Sequence, residues 1–151
     1  MSPHQTVLNP RTRDALADLA LACRIARRVI AREGRIADPA MRERLEDAAA
    51  HLNRLDLYPH PINISRVAVY HAPWFFTMRH NRGFIAVAMR NRLLFRQHPL
   101  TVPEHVLCHE LCHIWQMQQR PLRLPLSFLN RKRGYWDNPY EVEARRAMDA
   151  S

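Results

Sequence analysis

The stretch Cys108-His109-Glu110-Leu111-Cys112-His113-Ile114-Trp115-Gln116 decides how this chain is read. It contains the pattern H-E-x-x-H. On an α-helix, four residues set the two imidazoles about 6 Å apart along the axis and ~40° apart around it. His109 and His113 can therefore reach one tetrahedral ion, for which Zn–N bonds of about 2.0–2.1 Å are typical. Glu110 lies ~100° round from His109, at the edge of the same face. There it suits holding and deprotonating a water rather than ligating the metal. Val106, Leu107, Cys108, Leu111, Cys112, Ile114 and Trp115 cover nearly every other face. A helix that is apolar all round is buried. A buried imidazole or carboxylate is costly unless it is paired or bound to a metal.

Thr101-Val102-Pro103-Glu104 precedes this helix and has capping-box form, with Thr101 as the expected cap. The helix is expected to run to about Gln119, before Pro121. A catalytic site with one open position needs a third protein ligand. No histidine follows His113, so the H-E-x-x-H-x-x-G-x-x-H arrangement is excluded. The downstream carboxylates are Asp137, Glu141, Glu143 and Asp149. Asn138-Pro139 reads as the cap and first turn of a last helix that runs towards Met148. Glu141 and Ala144 share a face of that helix, and the small residue allows close approach to the metal helix. Glu143 points ~200° away from Glu141, so both cannot ligate. Glu141 is the favoured ligand. Its plain alternative role is a carboxylate that complements the helix dipole.

Farther out, residues 9–34 read as a helix capped by Asn9 and stopped by Gly34. A second helix follows from Asp38-Pro39 to about Leu55, with Met41, Leu45, Ala48, Leu52 and Leu55 as its stripe. The short connector implies an antiparallel helical hairpin. Tyr58-Pro59-His60-Pro61 breaks the pattern. Residues 64–70 then read as a strand, and residues 84–89 and 93–95 as a hairpin joined across Arg90-Asn91-Arg92. The aromatics Trp74, Phe75 and Phe76 fall between and are expected to pack rather than to line a cleft. The fold class is α+β: an N-terminal helical hairpin, a small mainly antiparallel sheet, the motif helix and a last helix that supplies the third ligand. One domain is expected over 1–151, with 1–56 as an accessory hairpin and 62–149 as the core.

These motifs resemble the gluzincins, the thermolysin-type zinc metallopeptidases, through His109 to His113 followed by a Glu-x-x-Ala helix. The compact layout is similar to that of the minigluzincins. With Tyr135-Trp136 and Asn138-Pro139-Tyr140-Glu141, the motif stretch resembles more closely small bacterial metallopeptidase domains found beside secretion and contractile injection genes. The resemblance covers roughly residues 64–149. It implies a zincin-like fold, a Zn2+ ion held by His109, His113 and Glu141, and peptide hydrolysis with Glu110 as general base on a metal-activated water. It also implies an edge strand from the hairpin before the metal helix that pairs with an extended peptide. Many gluzincins carry an aspartate four residues after the ligand glutamate, where this chain has Arg145. Asp137 or Asp149 is the candidate substitute for orienting a ligand histidine. An oxyanion needs a donor besides the metal, and Tyr135, Tyr140 and His105 are the candidates.

Composition bounds the alternatives. The chain has 151 residues, 47% hydrophobic and 25% charged, which is globular and not disordered. Its 23 Lys+Arg against 14 Asp+Glu give a net charge of +9, and Lys132 is the only lysine. The arginines are spread along the chain, which reads as a solvated basic surface. Nucleic acid is the other partner such charge admits, beside a protein or peptide substrate. An SprT-like protease acting on nucleic-acid-associated proteins is therefore an alternative, although such sites use a downstream third histidine. A catalytically inactive zinc-binding module is another, and Glu110 argues against it because metal binding alone does not need that residue. Cys23, Cys108 and Cys112 make no disulfide framework and are expected to pack as small hydrophobes. Arg131-Lys132-Arg133 reads as a solvated loop. No apolar run or signal-like segment is visible, so a cytoplasmic location is expected.

Overall fold

A computed structural model of the protein describes residues 35–79, 81–124, 127 and 135–149, together with Arg24. The expected first helix over 9–34, apart from Arg24, lies outside the described residues, as do Cys23 and the basic run Arg131-Lys132-Arg133. The architecture below belongs to the compact unit Glu33–Ser151.

The described residues form an α+β fold of three α-helices and one four-stranded sheet. The elements are β1 (Arg35–Ile36), α1 (Pro39–Arg54), β2 (Ala68–His71), β3 (Ala86–Met89), β4 (Arg92–Phe95), α2 (Glu104–Gln119) and α3 (Pro139–Asp149). α1 begins where the sequence places it, because the Asp38 carboxylate accepts from the Ala40 N–H at 2.8 Å and Pro39 suits the first turn. Its stripe Met41, Leu45, Ala48 and Leu52 is buried.

The sheet order is β1-β2-β4-β3. The sheet is mainly antiparallel, as expected, but mixed, because one of its three strand pairs is parallel. β2 runs parallel to β4, with Ala68 opposite Arg92 and His71 opposite Phe95, while the β1–β2 and β3–β4 pairs are antiparallel. The hairpin turn is two residues rather than three. Arg90 occupies it with a left-handed φ of 54°. β3 is an edge strand. Ile85 accepts from the Arg96 N–H, and antiparallel ladders alternate, so Ala86 and Ala88 turn their backbone polar groups to the free edge. The aromatic segment Pro73–Thr77 is a short 3-10 turn that buries Phe75 and Phe76.

The capping box at Thr101 does not form. α2 starts at Glu104 after Pro103, with no side-chain cap, and the Thr101 hydroxyl donates to the His98 carbonyl inside a 3-10 turn. Tertiary contacts fix the helix start instead. Arg44 of α1 donates to the carbonyls of Pro99 and Val102 at 2.8 and 2.6 Å. α2 is the central element, with α1, α3 and β3 packed on it. Residues 56–61 also hold it: the Trp115 indole donates to the His60 carbonyl at 2.7 Å, and Tyr58 meets Trp115 edge-on at 5.0 Å. Among the described residues no helix is long and apolar enough to cross a membrane.

Candidate metal centre

α2 carries a polar stripe through the apolar core, as the motif demands. From Leu107 to Met117 every residue is buried except His109, which is partly exposed. Cys108 and Cys112 are free thiols in the core, as expected of small hydrophobes. Burial raises the Cys108 thiol to about 11, so it stays protonated at neutral pH.

α3 supplies the third group. Asn138 caps it, its side-chain oxygen accepting from the Tyr140 N–H at 3.1 Å, while its amide donates to Ser127 at 2.9 Å. Ala144 and Ala147, both fully covered, let α3 lie close on α2. That proximity brings Glu141 against the two histidines. Nε2 of His109 and Nε2 of His113 lie 3.2 Å apart. Oε2 of Glu141 lies 3.4 Å from His109 Nε2, and Oε1 lies 3.3 Å from His113 Nε2. Among the described residues, His109, His113 and Glu141 form the group able to hold a metal ion. The separation of the two imidazole nitrogens matches the edge of about 3.3–3.4 Å in a tetrahedron with bonds of 2.0–2.1 Å, and a different oxygen of Glu141 lies at that range from each of them. Glu141 Oε2 is also buried without a hydrogen-bond donor, which such an ion would satisfy.

The electrostatics are those of a coupled cluster. Burial raises the Glu141 carboxyl, but the two imidazoles outweigh it and hold the group down at about 2. Burial works against the His113 cation; contact with Glu141, and the nearby Glu110, reverse this and raise its pKa. Glu110 is 8% exposed, and its own carboxyl is raised by burial against the opposing pull of His113 and His109. The backbone N–H of Ala88, on the free edge of β3, faces it.

The remaining candidates separate cleanly. The Tyr135 hydroxyl lies against the Glu141 carboxylate, and burial next to that charge raises its pKa. Tyr140 contributes its backbone carbonyl, which accepts from Gln116. His105 is exposed and lines a cleft with Asp47, His51 and Arg54. Tyr135 also meets Phe84 at 5.8 Å and Trp136 at 5.6 Å, so exposed aromatic surface adjoins the triad.

Neither Asp137 nor Asp149 orients a ligand histidine. Nδ1 of His113 faces Gln116 Oε1 at 2.8 Å. The Gln116 amide donates to the Tyr140 carbonyl at 3.0 Å and to Glu143 Oε2 at 2.8 Å, and the Tyr58 hydroxyl donates to the same oxygen. Glu143 therefore faces away from the triad, as its helical angle requires. Sequence reading missed Gln116 and Tyr58. Gln116 was within reach, since it sits three residues after His113 on one helix face; Tyr58 carried no signal. Arg145 turns away too, its guanidinium 5.2 Å from the Trp136 ring and hydrogen-bonded to the Trp136 carbonyl.

No protein-family model, no curated protein and no solved structure matches this chain, so none supports membership of the gluzincins.

Proposed function

We propose that this chain is a small zinc-dependent metallopeptidase with a gluzincin-like site on a zincin-like fold. The convergence of two imidazoles and one carboxylate around a single point carries this reading. Two nitrogens and one oxygen are a donor set that suits zinc in hydrolytic sites with an open position. His109, His113 and Glu141 would hold the ion, which would acidify a water and polarise a carbonyl.

The chain's own residues supply the rest. Glu110 is a buried carboxylate whose raised pKa suits it to take a proton and return it to a leaving amine. The free edge of β3 offers the backbone groups of Ala86 and the Ala88 carbonyl to an extended peptide, next to Glu110, which the Ala88 N–H faces. Tyr135 is the candidate donor for an oxyanion, because its protonated hydroxyl already faces the triad. Phe84 and Trp136 would flank an apolar side chain of the substrate.

The test is a zinc-loaded protein assayed on a peptide library beside Glu110→Gln. The variant is expected to bind zinc with unchanged affinity and to lose hydrolysis by at least about 100-fold. Hydrolysis that survives in Glu110→Gln defeats the mechanism. The net charge of +9 favours a second reading, action on nucleic-acid-bound protein. A salt-dependent gel shift with single-stranded or duplex DNA tests it.

A further inference from the structure

A neutral imidazole offers a metal only the ring nitrogen that carries no proton. His113 faces His109 and Glu141 through Nε2. It can ligate there only when its proton sits on Nδ1. The partner of Nδ1 is the Gln116 amide, and an amide has one donor end and one acceptor end.

The surroundings decide which end faces the ring. Gln116 is 2% exposed. Its amide nitrogen has two hydrogens and meets two acceptors, the Tyr140 carbonyl and Glu143 Oε2. Turned over, the amide would set its oxygen against a carbonyl and a carboxylate and leave buried acceptors unpaired. Oε1 must therefore face His113, and Nδ1 must be the donor. Glu143 is pinned in turn by the Tyr58 hydroxyl. Burial, and the hydrogen bond to Glu143, raise the Tyr58 pKa, so it remains a donor.

We propose that Tyr58, Glu143 and Gln116 are positioning residues that fix the tautomer of His113 and so aim its Nε2 lone pair at the metal. The proposal rests on the triad being a metal centre. It gives a role to Glu143, which competes with Glu141 in the sequence and does not reach the triad. It also ties residues 56–61 to the site through a single chain of hydrogen bonds.

The full chain, labelled with 15N, is tested in alkaline buffer by long-range 1H–15N correlation, and zinc affinity by chelator competition. Metal-free wild type is expected to show His113 with a proton on Nδ1. Gln116→Leu is expected to mix the tautomers and weaken zinc binding about 10- to 100-fold. Gln116→Glu sets two carboxylates face to face and should lose affinity similarly. The exchanged pair Gln116→Glu with Glu143→Gln restores a donor facing an acceptor and should recover most of the loss. Should Gln116→Leu fail to fold, the wild-type tautomer and the milder Tyr58→Phe, which should lose affinity in the same direction, carry the test. A wild-type Nε2–H tautomer, or an exchanged pair no better than Gln116→Glu, overturns the relay. Nδ1–H in a protein that takes up no zinc would defeat the metal reading while upholding the tautomer assignment.

Discussion

α2 has two unlike neighbours. Towards α1 it meets Met41, Leu45, Ala48 and Leu52, all buried and apolar. Towards α3 it meets Glu141 and Glu143 with its own His113 and Gln116, beside the small buried residues Ala144 and Ala147. The first contact is stabilised by area removed from water and is indifferent to pH. The second buries charge and amide groups, which is tolerable only while each has a partner. One helix thus carries an apolar face and a polar face, and the two should respond to different perturbations.

Leu52→Ala should produce the largest stability change. Leu52 is fully covered, and such truncations cost about 2–5 kcal/mol. Urea unfolding of metal-free protein measures it, and the zinc affinity of the folded fraction should not move. A parallel loss of zinc affinity would mean the two faces are not separable. Zinc should act only through the other face. At a free concentration 100-fold above its Kd it should stabilise wild type and Leu52→Ala alike by about 2.7 kcal/mol, and Glu141→Ala far less. Thermal shifts with and without zinc read this directly.

The metal-free protein should also reveal its polar face through pH. Glu141 is held at about 2 in the fold, below its ordinary 4.5. Its stabilising contribution is present above 4.5 and is lost as pH falls towards 2. His113 and Glu110 are raised instead, so their contributions are present below 6.5 and 4.5 respectively and are lost as pH rises through the raised values. Metal-free stability should therefore decline on both sides of a mildly acidic to neutral window. A flat profile in urea titrations across that range would remove the coupled cluster. The smallest contrast lies in the two caps. Asp38→Ala should cost about 1 kcal/mol and leave zinc affinity untouched. Asn138→Ala should cost a similar amount and also weaken zinc binding, because it loosens the turn that carries Glu141.

Much of this was legible in the chain. His109 and His113 sit four apart, and backbone geometry alone puts them on one face. Asp38-Pro39 and Asn138-Pro139 announce helix starts through local capping, and both α1 and α3 begin there. Ala144 marked the side of α3 that packs. Thr101 misled because the same hydroxyl can serve a 3-10 turn, and the competing contact came from Arg44, far away in sequence. β1 is two residues long and has no period to read. The parallel β2–β4 pairing escaped because neighbouring strands in sequence favour hairpins, whereas here β3 goes to the edge and β4 returns beside β2.

What the sequence determined by itself is the local part: two imidazoles and a carboxylate presented on one helix turn, in a segment too apolar to lie at the surface. Helical rise and rotation are properties of the backbone and need no partner. Which of Glu141 and Glu143 meets those imidazoles, and which group steadies His113, was decided only when α3 and residues 56–61 closed on α2. Those contacts join side chains 27 and 85 positions apart. Only the packing of buried surfaces selects among the many partners a glutamate or a tyrosine could take.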